Sequence, residues 1–263
     1  MDVVAPDLVR IPGGPFLMGA EDGDENERPE HAVTVDPFLL GAAPVTHDEY
    51  AAFVEDTGWR PPGVWELPSI IRPAREDEFK RTAAPYWWMG TQPPPGRANH
   101  PVVLVTFEDA REYCRWLAVR TKRPFRLPTE AEWERGARAG LERKAYPWGD
   151  TIDPSLANFT PQPGRRAAAG TKPVRSYAPN AFGLYDMAGN VWNWVADWYR
   201  ADYYAVGDPK NPMGPASGTL RVVRGGAWTN DDVAYLRSAF RHPVPPDTYS
   251  YSIGFRVACS EPQ

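Results

Sequence analysis

The densest run of chemically capable side chains lies near the end of the chain. Thr229, Asn230, Asp231 and Asp232 follow Arg224-Gly225-Gly226-Ala227-Trp228, and Arg237, Arg241 and His242 come soon after. Amides, carboxylates and guanidiniums within one short span can converge on a polar ligand. On a helix, Arg237 and Arg241 would share a face, and two guanidiniums so placed can clamp a carboxylate or phosphate through paired hydrogen bonds. A structural reading, with both arginines bonded to buried loop carbonyls, has equal standing. His47 stands at the start of a helical pattern, where an imidazole could serve as a base; an exposed capping-turn position is the plainer expectation. Glu130, Glu132 and Glu134 form a carboxylate cluster, but a place in the first helical turn gives them a structural reason, so no acid–base role is assigned. The acidic run Glu21 to Glu27 lacks the terminal bidentate Glu of a calcium loop and reads as a solvated loop. Cys114 falls on a helical apolar stripe and reads as a core residue.

These side chains need a frame, and the composition describes it. Among 263 residues there are 30 Pro and 11 Trp. Prolines in that number cannot sit inside helices or central strands, so much of the backbone must be ordered loop pinned by large aromatic side chains. The chain reads as a single domain over 1–263, with no linker-like division. Residues 8–20 read as two short strands around Pro12-Gly13-Gly14, and His31–Val35 as another, with His31 a framework residue. Thr46, Thr106 and Thr129 are N-cap signals; Glu49 and Glu132 complete capping boxes, and Asp109 adds a first-turn carboxylate. The second of these helices is expected over Phe107 to about Arg120. Segment 60–99 fits no periodic template and is the natural carrier of substrate choice. Gly189 and Asn190 read as a turn before an aromatic helix over Val191–Trp198.

A net charge of −5 without a basic block argues against nucleic acid. No stretch is apolar enough to span a membrane, the first residues are not a signal peptide, and two distant cysteines make no disulfide framework. The expectation is a cytoplasmic protein.

The ordered set Gly183-Leu184-Tyr185-Asp186-Met187-Ala188-Gly189-Asn190-Val191-Trp192, Arg224-Gly225-Gly226, Gly254-Phe255-Arg256, Arg126-Leu127-Pro128-Thr129-Glu130-Ala131-Glu132-Trp133-Glu134 and Pro147-Trp148-Gly149 resembles the formylglycine-generating enzyme, or sulfatase-modifying-factor, family. The resemblance runs from about residue 9 to 258. It implies an irregular, loop-rich α+β fold related to C-type lectin domains, with short antiparallel strands and a few peripheral helices. In the family's copper-dependent oxidases two cysteines follow the Arg-Gly-Gly element. Here those places hold Asn230 and Tyr235, the pattern of a cysteine-free bacterial branch. Copper(I) needs soft thiolates, so copper chemistry is not expected.

The resemblance also implies a calcium site, whose ligand positions fall on Asp186, Gly189, Val191 and Asn193. A second family calcium site retains Asn158-Phe159 but has Arg165 and Arg166 where a carboxylate is needed, and reads as lost. The ergothioneine-type branch uses non-haem iron held largely by an added helical domain with a His-x-x-x-His-x-Glu element. The four histidines here show no such spacing, which leaves a triad of His47, His242 and a distant carboxylate as the iron reading. The family's pocket position places a ligand between Trp192, Trp228, Asn230, Asp231, Arg237 and Arg241, with 60–99 as a wall. The leading functional expectation is a divergent oxidative enzyme (an oxidoreductase) acting on a small amino-acid-like molecule or peptide. Its alternatives are a non-catalytic ligand- or peptide-binding module and formylglycine generation by a changed mechanism.

Overall fold

The computed structural model describes residues 5–161 and 170–261. In chain order come β1 (Leu8–Ile11), β2 (Gly14–Met18), β3 (His31–Val35), β4 (Phe38–Gly41), α1 (His47–Thr57), α2 (Glu76–Ala83), α3 (Phe107–Thr121), β5 (Phe125–Arg126) and α4 (Glu130–Arg138). Then follow β6 (Trp192–Trp198), α5 (Tyr203–Val206), β7 (Arg221–Arg224), β8 (His242–Val244), β9 (Ile253–Phe255) and β10 (Ala258–Ser260). The strands form one sheet of order β1-β4-β10-β5, a hairpin β2-β3, and a sheet of order β8-β7-β6-β9. All pairings are antiparallel except β6 with β9. The fold is thus α+β, with short strands and long ordered loops.

Each main helix starts where its cap residue predicts. Thr46, Thr106 and Thr129 accept from the third helical backbone N–H, while Glu49, Asp109 and Glu132 reach back to the cap nitrogen. Two orphan donors are satisfied at each helix start. Asp109 also receives Trp59 Nε1 and the Arg60 guanidinium, so one cap tethers the head of the 60–99 segment.

One sequence expectation gains detail and two change. β1 and β2 flank a Pro-Gly turn yet belong to different sheets, β1 pairing with β4 and β2 with β3. The 60–99 segment contains α2, a helix with only Phe79 and Ala83 buried and supported by an i,i+4 Lys80–Glu76 pair. Two apolar anchors in eight residues are too few for a periodic signal. The aromatic run after Asn190 is the strand β6 rather than a helix, because it is buried on both faces. Trp192 and Trp194 pack with α1 and α3 residues, whereas Val195 packs with Trp133 of α4 on the opposite side. An apolar run hides its own period when both faces are covered.

Candidate functional site

The Arg-Gly-Gly element ends β7 in a turn that only glycine can make. Gly226 has φ +71°, and a Cβ there would lie 2.9 Å from the Tyr235 carbonyl oxygen. That close approach sets the loop carrying the two positions where the oxidases have thiols. Asn230 Oδ1 accepts from Ala227 N at 2.7 Å, and Asn230 N donates back to Ala227 O, so its carboxamide closes a turn. Asp232 caps the 3-10 turn Val233–Leu236 by accepting from Ala234 N. Tyr235 leaves that turn with its ring edge-on to Phe240, centroids 4.9 Å apart, and to Trp192 at 6.0 Å. His242 lies nearly parallel to Trp192, 5.1 Å away. Trp192, Tyr235, Phe240 and His242 therefore make one aromatic cluster, with Tyr235 and His242 half-buried at its rim. Burial pushes the His242 imidazole below its ordinary pKa, so the ring is neutral at physiological pH. Its nitrogens bond no protein group among the described residues, leaving one donor and one acceptor.

Arg237 and Arg241 do not share a face. A turn closed by Phe240 N on Arg237 O separates them and leads into β8, so Phe240 and His242 join the aromatic cluster while Arg241 pairs with Glu130 of α4. Arg241 is buried and pairs with Glu130 through Nε and Nη2, both at 2.8 Å. Its Nη1 donates to Asn26 O. Arg224 joins the same buried network through Glu130 and through Glu134 at 2.6 Å, with Nη1 and Nη2 also donating to the Ala239 and Ser238 carbonyls. Arg241 is thus structural and serves no ligand. Arg237 donates to Glu27 Oε1 at 2.6 Å and keeps 18% of its side chain exposed, on the wall of a cavity of about 420 Å³. Glu27, expected in a solvated loop, is fully buried as that partner.

The expected pocket is not assembled as drawn. Trp228 is buried with Tyr86 and Tyr251, its Nε1 donating to Tyr251 O, in a cluster separate from that of Trp192. Phe79 and Tyr86 do bring the 60–99 segment over Trp228. Asp231 lies exposed on the loop between Asn230 and the 3-10 turn. A cavity of about 740 Å³ lies on the other side of β6, lined by α3, β5 and Arg221. Sequence reading missed the Tyr235–Phe240–His242 arrangement; the alternation Phe240-Arg241-His242 was its signal.

The residues of the implied calcium site do not fit the ion. Asn193 donates from Nδ2 to the Val191 carbonyl at 2.8 Å, and its Oδ1 accepts from Arg256 Nε at 2.7 Å and from Trp133 Nε1 at 3.3 Å. A guanidinium thereby fixes the amide with its NH2 on an oxygen that calcium would require. Arg256 Nη2 also takes the carbonyl oxygens of Tyr185 and Asp186. The Asp186 carboxylate accepts from Arg175 N, and burial pushes its pKa up. Six to eight convergent oxygens cannot form around a donor NH2 and a cation. Gly189 is fixed by sterics instead: at φ +76° a Cβ would stand 2.5 Å from Asn158 O. Asn158 donates to Gly170 O and Asn190 Oδ1, while Arg165 and Arg166 lie outside the described residues.

The iron triad is not formed either. His47 is buried rather than exposed on its capping turn, and Nδ1 accepts from Trp88 Nε1 at 2.9 Å. Burial, with His100 and Arg97 adding repulsion, pushes its pKa down to about 3. Among the described residues no three His, Cys, Asp or Glu side chains converge as metal ligands. Cys114 and Cys259 are buried and free, and burial raises both thiols, so neither presents a thiolate. No helix among the described residues is long and apolar enough to cross a membrane.

A loop-rich α+β scaffold with an Arg-Gly-Gly turn beside an aromatic strand defines a class of proteins, and sequence comparison agrees. Residues 2–261 match the model of the sulfatase-modifying factor enzyme 1-like domain. The chain belongs to that family. It is 36% identical to the formylglycine-generating enzyme of Thermomonospora curvata, over 97% of this chain and 94% of that protein. It is 38% identical to the serine/threonine-protein kinase pkn1 of Chlamydia pneumoniae, where the match takes in 97% of this chain but spans only 38% of the longer protein. Among solved structures, PvdO from Pseudomonas aeruginosa superposes with a TM-score of 0.78 at 30% identity, covering 98% of this chain and 95% of that one.

Proposed function

We propose that this chain is a binding module of the sulfatase-modifying-factor fold, taking a small amino-acid-like molecule or a peptide on the aromatic cluster of Trp192, Tyr235, Phe240 and His242. One observation carries the reading. At the two thiol positions stand an amide already spent on Ala227 N and a ring already packed on Trp192. Neither can hold copper(I). What remains at that place is a buried pair of rings, Trp192 and Phe240, edged by the half-buried Tyr235 and a neutral His242 imidazole, whose rim can stack with a ring and give and accept one hydrogen bond.

The oxidative reading requires a redox centre, and the donors nearest the cluster do not supply one. The test is therefore double. Purified protein is titrated with aromatic amino acids and a Cys-x-Pro-x-Arg peptide by calorimetry, and the same peptide is examined by mass spectrometry after aerobic incubation. Saturable binding that weakens about tenfold in His242→Ala, with the peptide thiol intact, supports the module. Conversion of the cysteine to an aldehyde, or about one equivalent of iron or copper in the purified protein, restores the enzyme.

A further inference from the structure

Arg221 is exceptional among the arginines around the cavity beside β5. That cavity, about 740 Å³, opens between α3, β5 and the start of β7, and its walls include Phe38, Phe107, Phe125, Leu127 and Met213. Three other arginines reach it, and each has a carboxylate within 3 Å: Arg111 with Glu108 at 2.5 Å, Arg115 with Glu112 at 2.9 Å and Arg126 with Glu132 at 2.6 Å. Arg221 has no carboxylate partner among the described residues. Its guanidinium is held between two rings, 3.4 Å from the Trp198 centroid and 4.0 Å from that of Phe107. Nη1 donates to Ala196 O at 2.5 Å, Nε is enclosed without a partner, and Nη2 makes no hydrogen bond to the described residues. Burial lowers its pKa to about 10, outweighing the more distant charges of Asp197 and Glu108 that favour the cation.

A rigid, half-buried guanidinium at the edge of an apolar cavity is an anchor for one negative charge on an apolar body. The rings fix the plane of the fork and the Ala196 carbonyl fixes its rotation, so little freedom is lost when an anion arrives. The remaining cavity charges do not compete for it. Glu132 is bonded bidentately by Arg126, and Glu261 is paired with Arg10. Asp36 is held by Asn211 at 2.8 Å. The apolar walls set the rest of the ligand: an aromatic or branched aliphatic group, not a sugar or a phosphate-rich chain. We propose that this cavity is a second binding site, for a carboxylate carried on an apolar body, with Arg221 as its anchor. It is separate from the aromatic cluster around His242 and does not depend on that assignment.

The test uses two matched pairs of probes on the whole chain: 3-phenylpropionate against its amide, and an N-acetylated Leu-Phe dipeptide with a free against an amidated C-terminus. Binding is followed by NMR shifts and calorimetry. The expected result is that each acid binds at least about tenfold more tightly than its amide, with shifts at Trp198 and Phe107. The tighter acid of the two pairs tells a free small acid from a chain terminus. Arg221→Gln brings acid and amide to equal affinity, while Arg221→Lys keeps part of the difference. Because Arg221 supports two rings, a second variant at the exposed rim, Met213→Asp, guards against a folding artefact; its added charge weakens the acid selectively. Equal affinity of acid and amide for the unaltered chain, or no binding of either acid at millimolar concentration, overturns the proposal.

Discussion

Arg221 and Arg224 lie three residues apart on one short strand and live in opposite electrostatic worlds. Arg224 is fully buried, yet its charge is answered: Glu130, Glu134 and two carbonyls take its Nη1 and Nη2, and only Nε lacks a partner, as in Arg221. Arg221 is only half-buried and is answered by two rings and one carbonyl. The contrast shows that degree of burial does not decide what a charged side chain is for. A cation whose bonds are closed by its own chain is architecture, and removing it strands the partners. A cation whose bonds are left open is available.

The comparison breaks most visibly at the closed end. Arg224→Met should cost about 3–5 kcal/mol or prevent folding, since it leaves Glu130 and Glu134 buried with fewer partners; urea unfolding at neutral pH measures it. Acid should expose the same network. Burial tends to raise the Glu134 carboxyl, but Arg138 and Arg224 outweigh it and hold its pKa below the ordinary value. Its contribution is therefore present above the unfolded carboxylate range and lost as pH falls through the lowered folded value. Glu134→Gln should flatten the acid limb of a stability–pH curve; an unchanged limb would remove Glu134 from this account.

Asp197 tests the network from the other side. Burial and the neighbouring Glu130 charge push its carboxyl well up, so its proton is favoured in the folded state and stability falls as pH rises. Asp197→Asn keeps an oxygen for the Glu130 N–H, which now bonds Asp197 Oδ2 at 2.7 Å. It should gain about 1 kcal/mol at pH 8 and less at pH 5; the reverse order would show that Asp197 is ionised when folded. At the open end effects should be small. Arg221→Gln should cost about 1 kcal/mol, because two ring contacts and one carbonyl bond are lost but no ion pair. Smallest of all, chelator should leave the melting temperature within about 1 °C, since the Asn193 amide is already held by Arg256 and the Val191 carbonyl and an ion would gain nothing there by mass action. A drop of several degrees that added calcium reverses would reinstate the ion at Asp186.

Most of the fold could be read from residue order, and the reason is local. Caps at Thr46, Thr106 and Thr129 declare themselves within four residues, as does the glycine pair after Arg224. The site was less legible because its signals are not local. Arg241 stood evenly between a ligand and a structural role until Glu130, 111 positions earlier in the chain, closed on Nε and Nη2. Glu27 looked solvated until Arg237, 210 positions later, turned it inward. Asn193 sits at a ligand offset, and only Arg256 decides which end of its amide faces the Val191 carbonyl. Period-2 alternation from Phe240 to His242 was present, but a helical spacing between Arg237 and Arg241 was equally available and wrong, because a turn from Arg237 to Phe240 leads straight into β8.

The position of β10 carries a kinetic consequence. It pairs with β4 on one side, Ala258 opposite Leu40, and with β5 on the other, Cys259 opposite Phe125. Until those three residues arrive, β4 and β5 have no common neighbour and the sheet is split. Emerging from a ribosome, the chain must keep the edge of Phe38–Gly41 open through more than two hundred further residues. Closure of so long a loop makes completion of this sheet a late and slow event, and the open edge is the stretch most exposed to mispairing while it waits.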